Sequence, residues 1–553
     1  MNYKQLLTPL LFPIIILFVL AMIFILNVNG SIASINNVVT GEYVPSDIDG
    51  NFFATLSTYR GEGLYKGFSI VYPPGRFLVM SGLFHILGPS IPTTMVYFNF
   101  FGPLLFLTFL YIFSYQLFST FISNKYAYIA ALIPLFVELT FVRSAQEIHA
   151  ISALFFIVLF FPTKKQTIKH ILLGLLLGLV FLFRHESGIF LLIAVLIPSL
   201  KNIRNIRIPW YEIMGFSIVW IPVLALILYQ GSLYNFFYDL IVMGIITMPK
   251  FMGEAISPDL VLLFLSVLIL LLSSTLSLFV RTDKYHIRVF ALFSALSFIS
   301  ALVRSDEGHL WYGAVWISLY ISLMIISLKK IKKSTINKNA LIKTIVISVT
   351  FILMGSFLIY VKSSSLYLFV VMMLFIFVLF LPIKRSWIFI QYGGLIAALA
   401  IFHSIAYVGL RYSPLHPTWT LPTYDRALFE DDAHEIGGMT FPEKEMGILA
   451  EIQQAIPRGE EYMFIFPDHI LYYEFFSQKK PTRYIYFTGE RTARTENEVI
   501  TNIKQTKTHY FLIFSEGARL RGGTIWEWIE ENTKIIDKYI LNNKEVELRQ
   551  INQ

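Results

Sequence analysis

Long apolar runs separated by short polar stretches dominate the chain from Leu7 to about residue 410. Many of these runs have about 17 to 25 residues, the length that a helix needs to cross a hydrocarbon core about 30 Å thick. The pattern predicts a polytopic α-helical membrane protein with about 13 transmembrane helices. The predicted spans lie near 7–28, 93–117, 126–142, 147–161, 170–183, 185–200, 211–230, 259–280, 286–303, 310–327, 343–361, 365–381 and 388–410.

Positive charges predict the orientation of these spans. The run from Leu7 to Val28 is about 20 residues long and has no obvious small-residue cleavage site, so it is expected to be an uncleaved first span. With the N-terminus in the cytoplasm, about 19 of about 27 Lys and Arg residues in 1–410 fall on the cytoplasmic side, as the positive-inside rule requires. An odd number of spans then places the C-terminal tail outside the plasma membrane.

The segments outside the spans predict two domains, with residues 1–410 as the transmembrane domain and residues 411–553 as an external soluble α/β domain. External loops are expected at 29–92, with an interfacial helix near Phe77–Leu87, and at 231–258. In the tail, strand-like and helical patterns alternate. Strands are predicted at 462–466, 484–487 and 509–514, and helices near 443–455, 468–477, 495–505 and 526–540.

Composition narrows the class of function. Of 553 residues, 56% are hydrophobic and 14% are charged, which excludes a soluble enzyme. The absence of cysteine excludes disulfides, thiolate nucleophiles and cysteine-ligated metal sites. The positive charges sit in short loops and form no continuous stripe, which argues against nucleic acid as a binding partner.

The acidic residues are distributed unevenly between the two sides of the membrane. About 11 of about 14 acidic residues in 1–410 lie toward the external side, and the positive-inside rule does not explain this asymmetry. The working face is therefore expected to be external.

The first external loop carries two carboxylates two residues apart, Asp47 and Asp49. Carboxylates in such proximity can accept a proton from an acceptor hydroxyl, or bind a divalent cation as hard oxygen ligands. An Asp-x-Asp pair also occurs in ordinary solvated turns. The residues alone therefore leave a catalytic base, a metal site and a turn open.

Segments around this pair resemble the first external loop of GT-C fold glycosyltransferases, which use polyprenyl-phosphate sugars. The resemblance lies in Asp47 to Ala54, Gly63-Leu64-Tyr65 and Tyr72-Pro73-Pro74-Gly75. The branch of protein O-mannosyltransferases and aminoarabinose transferases is the most similar. The resemblance implies that an aspartate shortly before an aromatic-Ala pair is the base, which by spacing to Phe53-Ala54 is Asp49, with Asp47 as runner-up. Gly50 departs from the family, since much of this branch has Asp-Glu there.

The resemblance continues elsewhere in the chain. In the membrane region it includes Arg143 through His149 and Phe183-Arg184-His185-Glu186-Ser187-Gly188, at the external ends of successive predicted spans. In the tail it includes Tyr472-Tyr473-Glu474-Phe475-Phe476 and Pro481-Thr482-Arg483-Tyr484. The resemblance of the first external loop also implies that Tyr72 contacts the substrate.

Charged clusters at the external ends of spans supply the other candidates. Arg304 and Arg184 are expected to bind the phosphate of a lipid donor, because a guanidinium can hold phosphate oxygens bidentately and stabilise a leaving phosphate. Four side chains close to them in sequence are candidate substrate contacts: Asp306, His309, Glu186 and His185. Glu147, in a third external cluster with Arg143 and His149, is another candidate contact. For 184–186 the alternative is a helical hairpin whose charges reach the surface, and for Glu147 it is a salt bridge to Arg143.

These features predict an inverting hexosyl- or pentosyltransferase that moves a sugar from a polyprenyl-phosphate carrier to a glycan, lipid or protein acceptor at the external face. One rival is an O-antigen polymerase or ligase, which uses pyrophosphate-linked glycans. A transporter or flippase is a second rival, although internal repeats and midplane polar helices are not evident. A membrane scaffold is a third. The sugar, the acceptor, the metal requirement, the oligomeric state and the role of the tail are left open.

Overall fold

A computed structural model describes part of the chain, and it divides into two compact units. The loop–tail unit takes in Met1–Phe101, Ile221–Met252 and Thr420–Gln553, and the helical unit takes in Gly102–Trp220 and Gly253–Trp419. The predicted boundary at 410/411 lies outside the described residues, so the two-domain division stays a prediction. The described residues are 47–89, 93–94, 97–132, 134, 147–199, 209–247, 271–272, 275, 279, 282, 284–298, 315–329, 433–436, 439–467, 472–476, 478–484, 493–515, 518, 523–541 and 544–552.

Helices occupy most of the described residues before 330. Two π-helical stretches, Tyr97–Phe101 and Tyr238–Thr247, interrupt the α-helical pattern. The α-helices within the described residues are α1 Asp47–Tyr59, α2 Gly75–Leu87, α3 Gly102–Ser119, α4 Asn124–Ala130, α5 Glu147–Phe160, α6 Gln166–Phe183, α7 His185–Ser199, α8 Trp210–Tyr229, α9 Leu233–Phe237, α10 Tyr285–Ser297, α11 Ile317–Lys329, α12 Glu443–Ala455, α13 Tyr472–Phe476, α14 Ala493–Gln505 and α15 Gly523–Asn532.

Several helices coincide with predicted spans. Within the described residues, α3, α6 and α8 are long and apolar enough to cross a membrane, and α2, α5 and α7 are shorter apolar helices. Helices α5, α6, α7 and α8 confirm the helical runs predicted near 147–161, 170–183, 185–200 and 211–230. The spans predicted at 7–28, 343–361, 365–381 and 388–410 lie outside the described residues. The number of 13 therefore stays a prediction.

Aromatic side chains form the core of the helical unit. Phe113 on α3, Phe156 on α5 and Phe290 on α10 are fully buried, and their ring centroids lie 4.9 to 5.2 Å apart. Trp316, also fully buried, packs edge-on against all three. Edge-on and offset pairs at these distances add stabilisation beyond the area that they bury. This cluster fixes α5, and so fixes the position of Glu147 at its first residue.

The tail contains a mixed sheet of four strands in the order β3, β4, β6, β5, and a separate β1–β2 hairpin. Strand β3 runs parallel to β4, with Met463 opposite Tyr510, while β6 is antiparallel to both β4 and β5. Helices α14 and α15 cover one face around Phe464, Phe511 and Trp526. The strands are β1 Ala433–Ile436, β2 Met439–Pro442, β3 Met463–Phe466, β4 Tyr510–Phe514, β5 Thr533–Leu541 and β6 Lys544–Ile551.

The strands and helices of the tail agree with most of the predicted pattern. Helix α12 and strands β3 and β4 lie where the sequence predicts them. The helix predicted at 526–540 is wrong, because the helix ends at Asn532 and β5 begins at Thr533. Ile535, Tyr539 and Ile540 are β-branched or aromatic, and pairing with β6 satisfies the backbone of this segment as a strand. Strand β6 was not predicted.

Candidate functional site

Helix α1 in the loop–tail unit presents the two predicted carboxylate positions at its first turn. The helix begins at Asp47 and buries Phe53, Ala54 and Thr55. The Phe53-Ala54 pair, which the resemblance singled out, thus lies on this helix. Residues two apart in a helix do not face one another, whereas Asp49 and Phe53 share a face because they are four apart.

Beside this turn lies a buried arginine that the sequence reasoning did not select. Arg76, in the first turn of α2, is 9% exposed, and its Nη1 lies 3.4 Å from Asn51 Oδ1. Its guanidinium carbon lies 5.1 Å from the centroid of the Phe98 ring and 6.0 Å from that of Tyr72. A guanidinium stacked on aromatic faces remains fully charged and is held in one orientation. Tyr72, a predicted substrate contact, is thus half-buried within a group of aromatic and cationic side chains.

The loop between α1 and α2 folds around Tyr65, which is completely buried. Tyr65 has a φ of 59°, a left-handed backbone that non-glycine residues rarely adopt. Its hydroxyl donates to the Tyr72 carbonyl at 2.7 Å, and its own carbonyl accepts from Asn235 Nδ2 at 3.1 Å. Burial raises the pKa of Tyr65 well above its usual value, so the hydroxyl stays a donor at neutral pH. These contacts hold the loop in one conformation.

Residues 478–484 of the tail, named here the tail strap, pair with this loop inside the same unit. The Ser69 N–H donates to the Arg483 carbonyl at 2.7 Å, and Ser69 forms a parallel β-bridge with Tyr484. The Lys480 ammonium donates to the Gly67 carbonyl and lies 4.5 Å from the centroid of the Phe53 ring. The predicted external loops near 29–92 and 231–258 and the tail thus all contribute to one unit.

Arg483 and Asp239 form a buried ion pair at the centre of this contact. Arg483 Nη1 lies 2.7 Å from Asp239 Oδ2, and the two side chains are 6% and 0% exposed. Arg483 Nε also contacts Glu498 Oε1 at 3.3 Å, while Nη2 donates to the Tyr484 hydroxyl at 3.1 Å. Tyr484 in turn donates to Glu498 at 2.7 Å. The five-donor guanidinium is well suited to bridge several acceptors in this way.

The electrostatics of the pair reflect its burial. Burial raises the pKa of Asp239 to about 6, although the Arg483 charge and the Ser69 hydroxyl both act to lower it. Burial lowers the pKa of Arg483, but the Asp239 carboxylate more than offsets that effect and the net direction is upward. Both groups are therefore charged at neutral pH. Asp239 was missed as a site residue, although a lone carboxylate in the apolar segment from Leu233 to Thr247 is a signal for a buried partner.

Several predicted site residues come together in the helical unit, at the turn between α6 and α7. Arg184 Nε lies 3.3 Å from Glu186 Oε2, and His185 Nδ1 lies 3.8 Å from the same oxygen. His149 lies near enough to Arg184 for an electrostatic interaction between the two side chains. His149 and Glu147 are both buried near the start of α5. Arg184, His185, Glu186 and His149 are named the Arg184 cluster, and Glu147 lies two residues before His149 on α5.

His185 is the least satisfied member of the Arg184 cluster. Its side chain is 15% exposed, and neither ring nitrogen has a hydrogen-bond partner among the described residues. Glu186 is 37% exposed and Arg184 is 16% exposed. An arginine, a histidine and a carboxylate at the start of an apolar helix can together bind a phosphate and an attached hydroxyl group.

The remaining predicted residues cannot be placed. Arg304, Asp306 and His309 lie outside the described residues, and so do the side chains of Asp47 and Asp49 and the residue Arg143. Across the part of the chain that the structure describes, no three His, Asp or Glu side chains converge in a way that could hold a metal ion. A divalent cation at Asp47 and Asp49 therefore stays a prediction.

Comparison with known proteins identifies the fold. No family model matches the chain, and no curated protein sequence matches it. The structure of ArnT from Cupriavidus metallidurans bound to undecaprenyl phosphate matches 99% of this chain and 98% of its own, at 9% identity and a TM-score of 0.50. The apo structure of that protein covers 91% of this chain and 93% of its own, at 10% identity and a TM-score of 0.38.

A third solved structure, the Archaeoglobus fulgidus oligosaccharyltransferase in complex with Zn and sulfate, covers 89% of this chain and 68% of its own, at 10% identity and a TM-score of 0.29. Of these three matches, the first alone has a TM-score high enough to support a fold assignment, and it extends over almost the whole of both chains. The chain has the GT-C fold, as the resemblance of its first loop predicted.

Proposed function

We propose that this chain is a membrane glycosyltransferase that moves one sugar from a polyprenyl-phosphate carrier to an acceptor hydroxyl. The observation that carries the proposal is that the first loop, whose sequence resembles that of GT-C transferases, places Asp49 in the first turn of a helix in a chain with that fold. The ArnT structure of this fold holds undecaprenyl phosphate. We extend that donor class to this chain.

In the proposed reaction Asp49 takes the proton of the acceptor hydroxyl as its oxygen attacks the anomeric carbon. The bond from that carbon to the phosphate oxygen breaks, and polyprenyl phosphate leaves with the electron pair. Attack opposite the leaving group inverts the anomeric configuration. General-base catalysis contributes about 10² to 10⁴ in rate. The helical spacing favours Asp49 acting alone, because Asp47 and Asp49 do not share a face.

The Arg184 cluster is proposed to bind the donor phosphate. Arg184 would neutralise the charge that grows on the leaving phosphate, and Arg304 is proposed to assist it. His185 and Glu186 are proposed to contact the phosphate or the sugar hydroxyls, as are Glu147, Tyr72, Asp306 and His309. The plasma membrane location and the external working face are proposed from the charge distribution.

The proposed base is tested by initial rates of polyprenyl phosphate release from a panel of undecaprenyl-phosphate monosaccharides, using the purified full-length protein. We expect Asp49→Asn to lower turnover about 10² to 10⁴-fold, and Asp47→Asn to lower it less. Asp537→Asn, an exposed aspartate on β5, is the matched control. Wild-type turnover in both Asp49→Asn and Asp47→Asn would contradict the base assignment.

A further inference from the structure

The tail strap reaches the helix that carries the proposed base. Phe53 lies four residues after Asp49, so the two positions share one face of α1. The Lys480 ammonium lies 4.5 Å from the centroid of the Phe53 ring, within the range of a cation–π interaction. The tail thus contacts α1 about one helical turn from the proposed base.

The same lysine also holds the loop that follows this helix. Its ammonium donates to the Gly67 carbonyl, and two residues further along Ser69 N–H donates to the Arg483 carbonyl at 2.7 Å. Arg483 then binds Asp239 at 2.7 Å, and its Nη1 lies 3.5 Å from the Tyr65 carbonyl. The loop of Tyr65 to Ser69 and the segment of Asp239, which are far apart in sequence, are therefore connected by one stretch of seven tail residues.

The neighbouring lysine shows that this contact is specific to one position. Lys479 is 66% exposed and pairs with Glu461 at 2.6 Å, so it bonds within the tail itself. Lys480, half-buried, directs its ammonium to the first loop instead. Two adjacent lysines of equal charge thus have different roles, and they offer a matched comparison.

We infer that the tail strap positions the proposed catalytic helix, with Lys480 and Arg483 as positioning residues. This inference rests on the proposed function, and it gives the tail a part in turnover. Lys480 holds α1 through Phe53 and holds the following loop through Gly67. Arg483 holds the strap itself through Asp239. Misplacement of a reacting group by about 1 Å can cost about 10²-fold in rate, so a fixed helix matters for the transfer.

The inference is tested with full-length Lys480→Met, Lys480→Arg and Lys479→Met in detergent. We expect Lys480→Met to lower kcat for polyprenyl phosphate release about 10²-fold, because the base is no longer held in place. The KM for the undecaprenyl-phosphate monosaccharide should change by less than about twofold, because donor binding does not use the strap. Lys480→Arg should restore most of the lost turnover, and Lys479→Met should match wild type.

Hydrogen exchange provides a readout that does not depend on the donor. Residues 61–72 should exchange faster in Lys480→Met than in wild type and be unchanged in Lys479→Met. Unchanged exchange in Lys480→Met, or an equal loss of turnover in both methionine variants, would overturn the inference. A wild-type protein that releases no polyprenyl phosphate from any donor would overturn the proposed function instead, and the exchange result would still decide whether Lys480 holds the loop.

Discussion

Two arginine–carboxylate pairs, one in each unit, differ in how far their side chains are exposed to solvent. Arg483 and Asp239 lie 2.7 Å apart and are 6% and 0% exposed. Arg184 and Glu186 lie 3.3 Å apart and are 16% and 37% exposed. The first pair is surrounded by further protein contacts through Glu498 and Tyr484, whereas the second lies beside the unsatisfied ring of His185.

The difference in exposure favours a structural role for the first pair and supports the proposed substrate-binding role of the second. A buried ion pair is already desolvated, and removing either partner leaves an uncompensated charge in a low-dielectric site. A partly exposed pair contributes little to stability, and a ligand can reach it from solvent. We therefore propose that Arg483 stabilises the fold of the loop–tail unit and that Arg184 binds the donor phosphate.

Removing the buried partner should have the largest effect on stability. We expect Arg483→Met to destabilise the protein by about 3 to 5 kcal/mol, because the buried Asp239 carboxyl is left without its partner. The thermal unfolding midpoint in detergent measures this effect. Adding Asp239→Leu should recover most of the loss, since it removes the unpartnered carboxyl. A midpoint unchanged by Arg483→Met would contradict the assignment of this pair to the fold.

Removing the arginine of the second pair should instead act on turnover. We expect Arg184→Met to lower polyprenyl phosphate release about 10² to 10³-fold, the typical cost of losing one group that stabilises transition-state charge. Its unfolding midpoint should stay close to that of wild type. If Arg184→Met unfolds as readily as Arg483→Met while the remaining folded protein turns over normally, the two pairs play the same structural role.

The stability of the helical unit should reside in helix packing more than in the Arg184 cluster. A Cβ at Gly215 on α8 would lie 2.0 Å from the Ile171 carbonyl oxygen on α6, so the two helices cross closely there. We expect Gly215→Ala to destabilise the protein by about 1 to 3 kcal/mol, measured by the unfolding midpoint. Gly447→Ala on α12, where a Cβ meets no atom within 4 Å, is the control and should be neutral or stabilising.

The smallest effect on stability is expected at the carboxylate of the second pair. Glu186→Gln keeps the shape of the side chain and removes its charge, and it should change the free energy of unfolding by less than about 1 kcal/mol. The unfolding midpoint in low and high salt measures this, and the small difference from wild type should shrink as salt rises. A larger loss would mean that the Arg184 cluster supports the fold.

The sequence predicts the local elements of this protein better than its long-range contacts. Helix α12 and strands β3 and β4 follow from periodicity and composition alone. The error at 526–540 arose because Thr533 to Leu541 can continue a helical pattern, and only pairing with β6 makes it a strand. The contact between Arg483 and Asp239, 244 positions apart, has no local signature. A resemblance marked the Pro481 to Tyr484 segment, but it did not indicate what that segment binds.

The same distinction between local features and long-range contacts applies to the predicted site residues. Arg184, His185 and Glu186 are adjacent in sequence, so their clustering could be predicted, whereas the approach of His149 to Arg184 depends on how α5 packs against α6. Arg76 was not selected because one arginine after a Pro-Pro-Gly turn carries no motif. Its role beside Asn51 becomes visible only once α1 and α2 are packed together.

The measurement that tests the central claim most directly is identification of the lipid product released by the purified wild-type protein. The protein is supplied with undecaprenyl-phosphate monosaccharides and, separately, with undecaprenyl-pyrophosphate-linked glycans, together with a mixed envelope extract as acceptor. The account predicts that undecaprenyl phosphate is released from a monophosphate donor and that the transferred sugar has the inverted anomeric configuration. Release of undecaprenyl pyrophosphate from the second donor, with none from the first, would contradict it.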